Sequence, residues 1–242
     1  MNKLLVLVAL LVVHLGATAQ NIIYDENAEG RQVANFTGIE VSGTISVYLN
    51  QGNENGVAIS AGDPKYNSKI HTDVKDGVLK IWVDGGFWNG MGWANRKLKA
   101  YVSVVSPNSI TVSGASLVSV SGALQAEALK IGVSGASEIK GTFTVQQLNV
   151  DVSGASVARL SGTATNAMLD ASGACKINAY ELMAQQCKVN ASGASTVRIS
   201  VKEQFNASSS GGATIFYRGN PSVINVNSGA GASVKQRSLS ED

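Results

Sequence analysis

Residues 112–116 read Val-Ser-Gly-Ala-Ser, and close copies of this phrase return about every twenty residues along the chain. The five clear copies are Ser113-Gly114-Ala115-Ser116, Ser134-Gly135-Ala136-Ser137, Ser153-Gly154-Ala155-Ser156, Ser172-Gly173-Ala174-Cys175 and Ser192-Gly193-Ala194-Ser195. Looser copies follow at 210–214 and 228–233, and Ser42-Gly43-Thr44 resembles a divergent copy far upstream. A fixed period of this length is typical of stacked repeats, so we expect each copy to mark one layer of a continuous array.

Apolar and polar residues alternate before each Ser-Gly, as expected for strands with one buried face. The apolar positions are Leu129, Ile131 and Val133, then Leu148, Val150 and Val152, then Ala167, Leu169 and Ala171, then Cys187, Val189 and Ala191. A second apolar column lies four residues after each glycine, at Val118, Ile139, Ala158, Ile177 and Val197. Because a repeat of this length leaves no room for a crossover helix, equivalent strands of successive repeats must pair with each other in parallel. The sequence therefore predicts an all-β fold, a parallel β-helix or β-solenoid, with a less regular β N-terminal half.

The glycines of the five clear copies are predicted to form the corners of the coils: Gly114, Gly135, Gly154, Gly173 and Gly193. Glycine adopts positive φ without steric cost and lets adjacent coils approach closely. Alanine and serine are small enough to stack on their own copies at the ~4.8 Å spacing of neighbouring strands. The serine hydroxyls can hydrogen-bond along this stack, and the sequence leaves open which of them point inward.

The rest of the chain divides by composition. Residues 1–19 have a basic start, an apolar run and a small-residue end, which predicts a signal peptide. We expect a flexible leader over 20–35, an irregular β part or cap over 36–106, the repetitive solenoid over 107–234 and a polar tail over 235–242. No later apolar run is long enough to cross a bilayer. These features predict an exported protein, located in the periplasm, at the outer cell surface or outside the cell.

The charge balance and the scarcity of histidine narrow the function classes. The chain has 19 Lys and Arg against 17 Asp and Glu, so a nucleic-acid partner, which normally requires a basic stripe, is not expected. His71 is the one histidine after the leader, which argues against a histidine-rich metal site. No set of residues converges as catalytic machinery, so we expect no catalytic residues, no cofactor and no enzyme activity.

A Gly-rich stretch carries the best candidates for ligand binding: Phe87, Trp88, Met91 and Trp93. On an exposed loop, such side chains stack on sugar rings or on the apolar surface of a partner. The same residues could instead fold back as a flap over the open end of the solenoid, and both interpretations stay open. Trp82 alternates within a strand and is expected in the core.

Asp151 and Asp170 occupy equivalent outward positions in successive repeats, and stacking would place their carboxylates ~5 Å apart. Two like charges this close disfavour joint ionisation unless a cation lies nearby. The pair is thus a weak candidate for a cation site, whereas a solvated ladder is the simpler interpretation and hydrolase or lyase chemistry the least favoured. Cys175 at a corner and Cys187 in an inward column are expected to be unpaired, although export would permit a disulfide.

Three further segments, with the leader and the serial Ser-Gly-Ala-Ser copies, carry a family resemblance. They are Phe36-Thr37-Gly38-Ile39-Glu40-Val41-Ser42-Gly43, Asp76-Gly77-Val78-Leu79-Lys80-Ile81 and Lys97-Leu98-Lys99-Ala100-Tyr101-Val102. Together they resemble the head GIN domain family of putative auto-transporter adhesins, a domain of unknown function in exported bacterial proteins. The resemblance covers nearly all of the chain after the leader and implies a right-handed parallel β-helix-like fold. The chain departs from the pattern at Cys175 and in the copies after Ser209.

These observations lead to a ranked set of functional expectations. The first is a secreted, non-enzymatic envelope or surface module, an adhesin that binds a glycan or a cell-surface protein through an extended solenoid face. The second is a periplasmic structural or sensing module that docks to a membrane partner. The third is an enzyme acting on polysaccharide. Oligomer formation is compatible with all three.

Overall fold

The computed structural model describes residues 25–83 and 97–238, and within them the protein is almost entirely β. One short 3₁₀ helix, Pro64–Lys69, interrupts sixteen strands. The strands are β1 (Glu29–Arg31), β2 (Gly38–Val41), β3 (Ser46–Gln51), β4 (Gly56–Ser60), β5 (Ile70–Lys75), β6 (Val78–Val83), β7 (Lys99–Val104), β8 (Ser109–Val112), β9 (Leu117–Val133), β10 (Glu138–Val152), β11 (Val157–Ala171), β12 (Lys176–Ala191), β13 (Thr196–Ser209), β14 (Thr214–Arg218), β15 (Val223–Ser228) and β16 (Ser233–Gln236).

The repetitive region is a β-solenoid of about seven turns, which confirms the predicted fold class. Strands β9 to β13 each run from one Ser-Gly corner to the next and pair in parallel with the strand one repeat away. The register follows the sequence period, so that Ile139 lies beside Ala158 and Val150 beside Leu169. Equivalent residues of successive repeats therefore form columns along the solenoid axis.

The core lies inside the coils and consists of the apolar columns that the sequence predicts. The column after the corner is fully buried, at Val118, Ile139, Ala158, Ile177 and Val197, and the columns before the corner are buried as well. A further inward set closes the remaining side of the coils with Leu124, Phe143 and Leu182. Because every coil buries one face of all its strands, burial of apolar surface stabilises each coil against its two neighbours.

The corners are joined from layer to layer by backbone hydrogen bonds. The five corner glycines have φ between 71° and 86°. At Gly154, for example, the following Ala155 N–H donates to the Gly135 carbonyl of the neighbouring coil over 2.8 Å, and the preceding Ser153 N–H donates to Val133 over 2.9 Å. The row of backbone hydrogen bonds between adjacent coils thus continues through the corner instead of stopping there.

The second serine of each corner points inward and the first does not. Ser116, Ser137, Ser156 and Ser195 are buried. The Ser156 hydroxyl donates to the Gly135 carbonyl over 3.2 Å and accepts from the Ser137 N–H over 3.4 Å. At the equivalent position, the Cys175 thiol donates to the Val152 carbonyl over 3.2 Å. These small polar groups give the Ser137 N–H an acceptor and add a second hydrogen bond to carbonyls that already accept from a backbone N–H.

Coil order in space differs from order in sequence at the N-terminal end. Strand β2 lies between β6 and β8, and β3 lies between β7 and β9, all in parallel. The coil formed by β2 and β3 is therefore first in the sequence but second in space, because the coil formed by β6 and β7 lies outside it. Antiparallel strands then close this end, because β5 pairs with β6, β4 with β7, and β1 with β4.

One expectation from the sequence is wrong, and the core columns are not covered in the last described coil. Trp82 is not in the core: Leu79 and Ile81 point inward, so Trp82 has the outward parity, is 36% exposed and stacks on His71 with ring centroids 5.2 Å apart. Ile224 and Val226 are in register with the inward columns of β13, yet they are 46% and 47% exposed. They belong to the last described coil, where β15 pairs with β13 alone.

Asp25 joins the segment before β1 to the capped end. Its side chain is 11% exposed and accepts hydrogen bonds from the Tyr101 hydroxyl (2.7 Å), the Lys99 ammonium (2.9 Å), the Ser60 hydroxyl (3.0 Å) and the Asn27 N–H (3.2 Å). Burial by itself would raise the pKa of this carboxyl, but the four donors outweigh it and lower the pKa from 3.8 to about 2. Burial and the bond to Asp25 raise the pKa of Tyr101 to about 12.

The corner geometry predicts the effect of a single added methyl group. In Gly154→Ala, the new Cβ would lie 2.6 Å from the Gly135 carbonyl oxygen, at φ +71°. Since a left-handed conformation alone costs roughly 1–2 kcal/mol, we expect the free energy of unfolding to fall by more than about 2 kcal/mol. Urea unfolding followed by circular dichroism measures the change.

Two other glycines serve as matched controls. Gly77 has φ +73° with nothing within 4 Å of a new Cβ, so Gly77→Ala isolates the conformational cost. Gly132 lacks a positive φ, and its nearest neighbour would be a Thr111 side-chain atom at 3.7 Å, so Gly132→Ala should change stability by less than about 0.5 kcal/mol. If Gly154→Ala lowers the free energy of unfolding by no more than Gly77→Ala does, the close approach of the coils adds nothing to the cost of the substitution.

The lowered pKa of Asp25 predicts that its contribution to the free energy of unfolding is lost in acid. Its folded-state pKa lies below the unfolded value of about 3.9, so the contribution is complete above about pH 5 and is lost as the pH falls towards 2. At pH 7, Asp25→Asn should lower the free energy of unfolding by roughly 2 kcal/mol. The gap between wild type and variant should close between pH 5 and pH 2. Asp73→Asn, on the edge strand β5, is the control, and a gap at pH 2.5 as large as the gap at pH 7 contradicts this role of Asp25.

Candidate functional site

The outward positions of the strands before the corners form a surface rich in amide side chains, here called the amide face. Strands β10 to β13 and β15 contribute one row each, and register places equivalent residues side by side. Its columns are Gln147, Asn166, Gln186 and Gln204; Asn149, Met168, Lys188, Asn206 and Asn225; and Asp151, Asp170, Asn190, Ser208 and Asn227. In β10 to β13 these residues are outward because their neighbours in sequence are the buried columns of the core, and Asn225 and Asn227 of β15 continue the same columns in register.

Asp151 and Asp170 are neighbours on the amide face, in register across β10 and β11. The Asn190 amide of β12 donates to the Asp170 carboxylate over 2.7 Å, so the column continues as a carboxylate–amide pair. Within the described residues, no group of three or more His, Cys, Asp and Glu is placed to hold a metal ion. Cation binding by the pair therefore stays a prediction that rests on two carboxylates alone.

A groove lies where the amide face reaches the last coil. It has a volume of about 510 Å³ and is lined by Lys188, Asn190, Asn206, Ala207, Ser208, Ile224, Asn225, Val226 and Asn227. On its wall the Asn225 amide donates to the Asn206 side-chain oxygen over 2.8 Å. The half-exposed Ile224 and Val226 supply the apolar part of the lining. The lining thus combines hydrogen-bond donors, hydrogen-bond acceptors and apolar atoms.

The chemistry of this face is mainly hydrogen bonding by uncharged side chains. Each Asn or Gln side chain carries two donors and an acceptor with two lone pairs, which matches the donor and acceptor character of hydroxyl groups. The charged residues on the face and groove are Asp151, Asp170 and Lys188, so neither sign dominates. A rigid scaffold that repeats such groups at strand spacing, ~4.8 Å, can engage several polar groups of an extended ligand at once.

The structure brings some of the predicted site residues together and separates others. Phe87, Trp88, Met91 and Trp93 lie outside the described residues. His71 is on the edge strand β5, stacked on Trp82 and remote from the amide face.

Both cysteines are free and buried. They lie in different columns, since Cys175 replaces the inward corner serine and Cys187 lies in the column of Ala167 and Phe205. Burial raises the pKa of the Cys175 thiol and raises that of Cys187 to about 12, so neither is a reactive thiolate at neutral pH.

Sequence reasoning missed the amide columns. Their signal is the same twenty-residue period that defines the corners, read at the outward positions: Gln147, Asn166, Gln186 and Gln204 occupy one position of four successive repeats. The groove could not have been found in this way, because it exists where the last coil leaves Ile224 and Val226 uncovered.

Comparison with known proteins finds the same architecture in several bacterial proteins of solved structure. A putative adhesin from Bacteroides fragilis is 23% identical, with a TM-score of 0.79 over 87% of this chain and 96% of that one. A putative adhesin from Parabacteroides merdae is 16% identical (TM-score 0.62; 87% and 95% covered). A putative lipid binding protein from Parabacteroides distasonis is also 16% identical (TM-score 0.61; 88% and 98% covered). No protein of curated function matches the chain.

The stacked parallel coils define a β-solenoid. The family described as "putative auto-transporter adhesin, head GIN domain" matches residues 35–221, and the chain belongs to it. This membership confirms the resemblance found in the sequence and supports an adhesin-like surface module. Family and neighbours suggest an exported protein without enzyme activity. Among the described residues, no helix has the length and apolarity to span a membrane.

Proposed function

We propose that this protein is an exported, non-enzymatic adhesin that binds an uncharged glycan through its amide face. The observation that carries the proposal is the amide column across four coils, beside a groove of about 510 Å³ that is lined by further amides of the same face, among them Asn190, Asn206 and Asn225. Sugar hydroxyls donate and accept hydrogen bonds, as Asn and Gln side chains do. A linear glycan lying along the solenoid axis would meet equivalent groups at every coil.

The charge and shape of the face favour a glycan over a protein partner. Protein interfaces are enriched in aromatic residues and arginine at their centre, and the columns of the amide face carry neither. The groove lining also includes Ala207, Ile224 and Val226, so a sugar ring in the groove can contact apolar atoms as well as amides. Amide side chains around it, such as Asn190 and Asn206, would orient that ring through its hydroxyl groups.

Replacing groove amides should remove binding without unfolding the protein. The variant Asn190→Ala/Asn206→Ala/Asn225→Ala loses three amides that each contribute roughly 0.5–1.5 kcal/mol when hydrogen-bonded to a ligand. We expect the affinity for the best neutral glycan on an array, measured by calorimetry, to fall at least tenfold.

The matched control is Gln125→Ala/Gln146→Ala/Gln185→Ala, which removes three exposed amides that belong neither to the columns of the amide face nor to the groove lining. This control should bind as the wild type does, and thermal unfolding of both variants checks that the fold is retained. Equal loss in the two triple variants, or no neutral glycan bound by the wild type on the array, contradicts the proposal.

Location at the outer surface is tested on intact cells that produce the protein with a flexible tag after Asp242. Added protease should remove the tag while a periplasmic marker stays intact, because an adhesin must be accessible from outside. Protection of the tag until the outer membrane is opened would instead support the periplasmic module that docks to a membrane partner. A soluble cytoplasmic marker controls for lysis.

A further inference from the structure

A column of basic residues runs along the face that follows the corners, here called the basic face. Successive register partners in this column are Ser119, Lys140, Arg159, Asn178, Arg198, Phe216 and Lys235. From Lys140 to Lys235 the column crosses five strand spacings, or ~24 Å at ~4.8 Å each. The side chains point outward because their sequence neighbours Ile139, Ala158, Ile177, Val197 and Ile215 are buried.

The basic face concentrates charge that the overall composition conceals. The neighbouring column, from Leu117 to Ser233, adds Lys176 and one carboxylate, Glu138. Five cations thus face one acid in these two columns, although the whole chain has 19 basic and 17 acidic residues. Aligned charges of one sign produce a local field that raises the concentration of oppositely charged ligands at the surface.

Most of these cations are available to a ligand. Within the described residues Arg159 forms an ion pair with Glu138 at 2.9 Å, whereas Lys140, Arg198 and Lys235 form none. The Arg198 guanidinium is held in place instead, because it donates to the Asn178 side-chain oxygen over 3.1 Å and lies 5.5 Å from the Phe216 ring centre. A positioned guanidinium presents a planar fork of donors that matches a carboxylate or a sulfate.

The surroundings of the column decide between three kinds of polyanion. Binding of a single-stranded nucleic acid uses open aromatic faces on which the bases stack, but Phe216 is covered by Arg198 and by Arg237, whose guanidinium lies 5.0 Å from the ring. A membrane surface requires apolar side chains that insert between lipids, but Thr196, Thr214 and Ser233 flank the basic column. A linear chain with anionic groups at regular intervals fits a column one side chain wide.

We propose that the basic face binds an acidic polysaccharide, one with carboxylate or sulfate groups on successive or alternate sugars. The chain lies along the solenoid axis, and its anionic groups pair with Lys140, Arg159, Arg198 and Lys235. This site is on a different side of the coils from the amide face, so either site can fail without affecting the other. The protein then holds two ligand surfaces, one for neutral and one for anionic sugar chains.

The test uses the chain from Gln20 to Asp242 and polygalacturonate as the probe, with dextran as the uncharged counterpart. The wild type should bind polygalacturonate in 20 mM NaCl and at least tenfold more weakly in 500 mM NaCl, because salt screens exposed charges. The variant Lys140→Ser/Arg159→Ser/Lys235→Ser removes three exposed cations from the column. We expect it to bind at least tenfold more weakly than the wild type in 20 mM NaCl.

The control Lys75→Ser/Lys130→Ser/Lys202→Ser makes the same change in net charge with exposed residues outside the column. It should retain wild-type affinity within twofold, and circular dichroism verifies folding of both variants. Equal weakening in the two variants would mean that net charge alone attracts the polymer and would overturn the proposal. Tighter binding to single-stranded DNA or to vesicles of phosphatidylcholine and phosphatidylglycerol than to polygalacturonate would also overturn it.

Discussion

Close backbone approach at the glycine corners is the constraint on which the rest of the structure depends. A Cβ at Gly135 or Gly154 would lie 2.5–2.6 Å from the glycine carbonyl oxygen of the neighbouring coil, so only a residue without a side chain lets the layers meet there. The alanine after each glycine then donates to that carbonyl over 2.7–2.9 Å. This contact fixes the translation between coils, and the parallel register of the strands on either side follows from it.

Fixed register converts a repeat in sequence into a surface of repeated chemistry. A residue type that recurs every nineteen to twenty-one positions becomes a column at strand spacing, ~4.8 Å. One side of the coils thereby collects amides, such as Gln147 and Asn166, and another collects cations, such as Lys140 and Arg159. Average composition, with basic and acidic residues nearly equal, describes neither side. In a solenoid, ligand chemistry is therefore set by position within the repeat.

The two ends of the array are built differently. At the N-terminal end, β4 and β5 pair antiparallel with the outermost coil and occupy its free hydrogen-bonding edge, and Asp25 ties the preceding segment to Lys99 and Tyr101. In the last described coils, β15 and β16 keep the register of the array, but Ile224 and Val226 stay half-exposed. These two residues are part of the lining of the groove.

The sequence by itself determined the period, the glycine corners and the inward columns, because all three are local and repeat often enough to exclude chance. It also placed Asp151 beside Asp170. Tertiary structure alone decided that the β6–β7 coil lies outside β2–β3, that Trp82 faces outward against His71, and that the last apolar residues stay uncovered. These features depend on pairing between strands far apart in sequence and on what does or does not cover a strand. No local pattern encodes such neighbours, since alternation specifies that one face is buried but not against which residues.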